Sequence, residues 1–136
     1  MSFFSDAELR CKHCGLLKLH RGFRDALESL REEFRRPMVL TSACRCKAHN
    51  ASVGGHIRSL HVGDFPYHAD KGQQGCLAVD VATQGGAVAT QDGAYRGQLF
   101  SLAWKHGFSI GWNAKKNFLH IDRRVDIGLP QTSFDY

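Results

Sequence analysis

Two apolar, strand-like runs in this chain each carry one group able to bind a cation. In "CLAVDVAT", residues 76–83, Asp80 sits between Val79 and Val81; in "NFLHID", residues 117–122, His120 sits between Leu119 and Ile121. Burying a carboxylate or a charged imidazole in such a run costs on the order of several kcal/mol unless a partner compensates. A metal ion is one such partner. His61, in "RSLHVGD", lies in the segment feeding the Asp80 run. Two imidazoles and one carboxylate form a set that zinc uses in hydrolytic sites, where a further position is kept for water. Alternation along a strand puts Asp122 on the same face as His120. A carboxylate beside an attacking water is what a general base requires. Spacing alone is weak evidence, because eight histidines in 136 residues make chance groupings easy and a strand histidine is commonly structural.

These groups need elements to hold them. Residues 20–37, "HRGFRDALESLREEFRRP", read as a helix, with Phe23, Leu27, Leu30 and Phe34 forming one apolar stripe and Pro37 stopping it. "MVLTSA", residues 38–43, reads as a strand. "RCKAHNASV", residues 45–53, reads as a short helix ending at Gly54-Gly55. Residues 55–75 are rich in Gly, His and Asp and read as a long loop, of the kind that is usually functional. "LAVDVAT" is a strand, residues 94–107 are a second main helix closed by Gly107, and "FSIGW" and "NFLHID" form a hairpin around "NAKK". The order predicts a single α+β domain over residues 1–136, with helices packed on a small antiparallel sheet.

Bulk properties narrow the function. The net charge is +5 and the pI about 9.1, which suits an anionic partner such as a wall polymer or nucleic acid. Interleaved aromatic and basic patterning is missing, so a nucleic-acid partner is not expected. No apolar run is long enough to span a membrane. The opening, "MSFFSDAELRCKHCG", does not have the pattern of a secretory signal. Five cysteines, an odd number, argue against a disulfide framework. Reduced thiols are the simplest expectation. A zinc knot of Cys11, Cys14, Cys44 and Cys46 is the alternative, although C-x-C is a poorer chelate than paired C-x-x-C.

The segment "TSACRCKAHNASVGGHIRSLHVG", residues 41–63, followed by "GCLAVDVAT", "GFSIGW" and "FLHIDRR", resembles the zinc peptidases that cut peptidoglycan stem peptides. These are the D-alanyl-D-alanine carboxypeptidases and L-alanyl-D-glutamate endopeptidases, including many phage endolysins; the hedgehog signalling domain shares their fold. The matching positions are Ser42, Arg45, Cys46, His49, Asn50, Val53, Gly54, Gly55, Ser59 and His61, then Ala78 and Asp80, then His120 and Asp122. The "FSDAELRCKHCG" opening is also similar.

The resemblance implies a hedgehog-like fold and a zinc ion held by His61, Asp80 and His120. It implies that Arg45 and Ser59 face the substrate, Arg45 gripping a carboxylate. His61 precedes Asp80 by nineteen residues, far more than is usual in the family, so "DFPYHADKGQQG" reads as an insertion. His68 lies within it and is a rival ligand, and the insertion reads as a lid. Some relatives carry an acid three residues before the last ligand; here Asn117 stands there and cannot take a proton, which turns the base role towards Asp122, with orienting His120 or pairing with Arg123 or Arg124 as its alternative roles. The expectation is a monomeric peptidoglycan peptidase of endolysin type, made in the host cytoplasm and acting on the wall after release. A non-catalytic zinc-binding module is the alternative.

Overall fold

The computed structural model describes residues 2–83, 92–113 and 115–136. Its centre is a five-stranded sheet formed by β1 (Leu40–Ser42), β2 (Ala78–Ala82), β3 (Ser109–Trp112), β4 (Phe118–Asp122) and β5 (Ser133–Asp135). The strand order is β1-β2-β4-β3-β5. Four helices accompany it among the described residues: α1 (Asp6–Leu9), α2 (Phe23–Phe34), α3 (Lys47–Ser52) and α4 (Asp92–Lys105). The α+β class is as expected. The sheet is antiparallel except at one edge, where β5 joins β3 in parallel. That strand was not expected from the sequence: its pattern alternates, exposed at Ser133 and Asp135 and half-buried at Phe134, but three residues are too short a run to read.

Helix α2 forms because its apolar positions fall on one stripe. Phe23, Leu27, Leu30 and Phe34 are all buried, each contributing about 1.5–3 kcal/mol relative to exposure. It is shorter than the sequence pattern predicts. Arg35 takes a left-handed conformation at φ 59° and ends it, before Pro37, whose carbonyl accepts the Tyr95 hydroxyl at 2.6 Å. The short α1 has a legible signature, a capping box in which Ser5 and Glu8 satisfy each other's backbone N–H.

The sheet has two unlike faces because side chains alternate along each strand. Val79, Val81, Leu119, Ile121 and Ile110 join Phe23, Leu27, Leu30, Leu99 and Ala103 in the core. Among the intervening residues, Asp80 of β2 and His120 and Asp122 of β4 put polar groups on the other face. Asp80 pairs directly with His120, and Ala78 with Asp122. The register therefore brings the two expected metal ligands side by side.

The segment from 55 to 75 has its own fixed points. An isolated parallel bridge joins Arg45 to Val62, and a 3-10 turn covers Ala69–Lys71. Gln73 is buried, donates to the Val62 and Gly75 carbonyls, and accepts from the His68 N–H. The insertion is thus pinned at its base by one buried amide.

Candidate metal centre

His61, Asp80 and His120 meet. Their donor atoms all lie within 4.8 Å of one another, and the residues are 0%, 4% and 5% exposed. Asp80 Oδ1 is 3.1 Å from His61 Nε2 and 3.1 Å from His120 Nδ1. Its other oxygen, Oδ2, accepts from the Arg45 guanidinium at 3.3 Å.

The partners of each ring fix which nitrogen carries a proton. His61 Nδ1 lies 2.7 Å from the Ala43 carbonyl, which only accepts, so Nδ1 is protonated and Nε2 carries the lone pair. His120 Nε2 lies 2.8 Å from Asp122 Oδ2, so in the neutral ring the lone pair is on Nδ1. Two ring lone pairs therefore aim at one carboxylate oxygen, and such a convergence needs protons or a cation between the groups. Burial pushes His61 below its ordinary pKa despite the neighbouring Asp80. Burial acts the same way on His120, but the hydrogen bonds to Asp122 and Asp80 outweigh it and raise that ring to about 9. Burial alone would raise Asp80, yet His61 and His120 hold its carboxyl well below the usual range. A proton can satisfy His120, while His61 resists one. A divalent cation satisfies all three donors, so the chemistry of the set fits a metal.

The surrounding residues orient these donors. Arg45 is buried, and each guanidinium nitrogen has an internal partner: NH2 to Asp80, Nε to Ser42 Oγ at 2.9 Å and NH1 to Asn50 Oδ1 at 3.1 Å. Asn50 in turn donates to the His56 carbonyl at 3.0 Å. Gly55 is required by this arrangement, since a Cβ there would come within 2.1 Å of Asn50 Oδ1. The Ser59 hydroxyl accepts from the His61 N–H at 3.2 Å. Asp122 is fully buried and lies across the His120 ring from the donor cluster. Arg124 binds both of its oxygens, through NH2 at 2.8 Å and Nε at 2.9 Å, and the Arg124 N–H adds a third contact at 3.1 Å. Burial would raise the Asp122 carboxyl, but Arg124 and His120 bring it down to about 2. Of the two roles open to Asp122, this geometry has the contacts of the orienting and ion-pairing one: sharing a strand face with His120 puts Asp122 on the ring's far nitrogen, with Arg124 on its oxygens. Each Arg45 nitrogen has one partner inside the protein, Ser42, Asn50 or Asp80, while NH1 and NH2 each keep a second N–H.

A cleft of about 620 Å³ opens beside His120, with Ser59, Arg58, His68, Lys116, Arg124 and Tyr136 among its lining. His68 is on the cleft wall, outside the donor cluster. Tyr136 stacks on His120 at 5.1 Å, and Phe134 meets the same ring edge-on at 5.7 Å. Neither aromatic was singled out from sequence, since only the parallel docking of β5 brings them there. Other surface hollows, such as the one lined by Ser29, Glu32, Glu33, Arg35 and His106, lie away from the donors.

A family model described as Peptidase M15 matches residues 7–122, most of the chain. The protein belongs to the peptidase M15 family. No curated protein and no solved structure matches it. Peptidases of the M15 family are metallopeptidases, and His61, Asp80 and His120 form a candidate metal-binding group within the matched region. Among the described residues of this M15 peptidase, no helix is long and apolar enough to cross a membrane. Arg124, Phe134 and Tyr136 lie beyond the matched residues, yet they complete the cleft around His120.

Proposed function

We propose that this M15 peptidase is a zinc enzyme that cuts the stem peptides or cross-links of peptidoglycan. The observation that carries this reading is the buried His61/Asp80/His120 set beside a cleft whose rim is basic. Arg58, Lys116 and Arg124 line that cleft, and stem peptides are rich in carboxylates, so the rim attracts and orients them. Tyr136 and Phe134 offer apolar walls for the short side chains between those charges.

Zinc bound by His61 Nε2, Asp80 Oδ1 and His120 Nδ1 would supply Lewis acidity to the scissile carbonyl and to an attacking water. The chain's own residues do the positioning. Arg45 holds Asp80 to a single free oxygen, Ser59 fixes the backbone at His61, and Asp122 keeps the His120 proton on Nε2. In this reading Asp122 acts through His120 rather than as the base. His56, His68 and Asp135 line the cleft and carry basic atoms, and they are the groups from which the proton acceptor is drawn. A role as an endolysin, made without export and released to the wall at lysis, suits the basic charge and is part of the same proposal.

The test is digestion of purified sacculi by the zinc-loaded protein, with products identified by mass spectrometry. Release of stem-peptide fragments, abolished in His120→Ala, is the expected result. Zinc binding with intact sacculi would refute the peptidoglycan reading and favour a non-catalytic binding module.

A further inference from the structure

A second donor cluster lies outside the site described above. The sulfur atoms of Cys11, Cys14 and Cys46 all lie within 4.8 Å of one another. They come from two parts of the chain. A tight turn, closed by Gly15 N–H to the Cys11 carbonyl at 2.8 Å and Cys11 N–H to the Leu16 carbonyl at 2.7 Å, brings Cys11 and Cys14 to one side. Cys46 caps the N-terminus of α3, its sulfur accepting the His49 N–H at 3.4 Å. Cys11 Sγ accepts the Cys46 N–H at 3.3 Å. Metals take such sulfurs as thiolates.

The dimensions fit one ion. A tetrahedral zinc with Zn–S arms of about 2.3 Å sets its sulfurs about 3.8 Å apart. A fourth donor lies beside the group: His13 Nδ1 is 3.5 Å from Cys46 Sγ, its ring stacked on His49, although it is outside the three donors that are mutually within 4.8 Å. Cys44, which the sequence pattern grouped with these residues, is engaged elsewhere: its sulfur donates to the Lys18 carbonyl at 3.6 Å. All five cysteines are free thiols, so no disulfide competes for the cluster.

We propose that Cys11, Cys14 and Cys46, closed by His13, hold a second zinc ion whose role is structural. Three thiolates form a soft set that selects zinc over the hard divalent cations. Both Cys11 and Cys46 are buried, as a closed structural site requires. The position of the clamp explains its use. Cys46 follows Arg45, whose N–H donates to the His61 carbonyl at 2.8 Å and whose carbonyl accepts from Gly63 at 2.9 Å. The Arg45 side chain grips Asp80. Tying Cys46 to the N-terminal turn therefore steadies the segment that presents two of the three donors of the other site. The clamp does not depend on which bond the peptidase cuts.

Metal analysis of the full chain after gentle purification should find two zinc ions per chain. Cys14→Ser and His61→Ala should each hold one. Cys14 is exposed, so its replacement leaves packing intact, and circular dichroism checks that the variant folds. Its Tm should fall by several degrees. Cobalt substitution separates the sites: a sulfur-to-cobalt charge-transfer band should appear in the wild type and in His61→Ala and vanish in Cys14→Ser. If Cys14→Ser does not fold, the His61→Ala spectrum alone decides. Absence of the thiolate band in His61→Ala, or equal metal content in wild type and Cys14→Ser, overturns the proposal. Neither readout involves sacculus hydrolysis, so failure here is distinct from failure of the peptidase reading.

Discussion

Replacing Asp122 by Asn separates orientation of a ligand from acceptance of a proton. In the folded protein the Asp122 carboxylate receives His120 Nε2–H and three N–H groups from Arg124, with no exposure to solvent. An amide keeps one oxygen but presents N–H to whichever partner lies on its other side. Each oxygen accepts two of those N–H groups, so two contacts become donor against donor, and the guanidinium loses its counter-charge. The carboxyl is held at about 2 against an ordinary value of 3.8, and at about 1.4 kcal/mol per unit this corresponds to about 2 kcal/mol of stability. Because the folded value is depressed, that contribution is present above about pH 4 and fades as the pH falls towards 2. Asp122→Asn should therefore lower unfolding stability at neutral pH by about 2 kcal/mol. Its zinc affinity should fall by roughly 10–100-fold, as when a partner behind a metal-ligating histidine is removed. At saturating zinc, turnover should return to within several-fold of wild type. A general base would behave oppositely: zinc stays bound and turnover falls by about 10²–10⁴-fold. Chelator competition measures the affinity, denaturant titration the stability, and sacculus hydrolysis the turnover, with His120→Ala as the variant that loses metal and activity together. Wild-type zinc affinity combined with a hundredfold loss of turnover would refute the reasoning.

Gly111→Ala puts a Cβ about 2.6 Å from Phe134 Cε2 and 2.7 Å from Tyr136 Cδ2; it should push both rings away from His120, cost about 1–3 kcal/mol, and raise KM while leaving the His61/Asp80/His120 donors intact, as steady-state kinetics and metal analysis would record. Glu28 accepts from the N–H groups of Phe3 and Phe4 and from the Ser2 hydroxyl. These bonds outweigh burial and lower its pKa, so its contribution is present above the ordinary carboxylate range and lost as pH falls through the folded value. Glu28→Gln should cost about 1 kcal/mol at neutral pH, with the Tm difference from wild type shrinking in acid.

The sequence by itself determined which residues could bind a metal and which elements would carry them. Period-two runs around Asp80 and His120 announced strands with one polar face, and the stripe from Phe23 to Phe34 announced the helix behind them, because these patterns depend only on local backbone geometry. The motif from Ser42 to His61 pointed to the family for the same reason: its glycines and capping residues act over a few neighbours. What local pattern does not contain is the identity of partners across the fold. Alternation put Asp122 and His120 on one face, but only the packed structure shows Asp122 on Nε2, with the lone pair of Nδ1 turned to Asp80. Arg45 could pair with an acid or face the substrate, and only the packed structure shows Asp80 beside its guanidinium. Cys44 and Cys46 are two residues apart, yet they have different partners: Cys44 donates to the Lys18 carbonyl, while Cys46 caps α3 beside Cys11. The β5 strand brings Phe134, and Tyr136 just beyond it, against His120 through parallel pairing to β3, and its three residues are too few to announce it. Hydrogen-bond direction and ring tautomer are decided by groups far apart in the chain, and only the tertiary structure brings those groups within reach of one another.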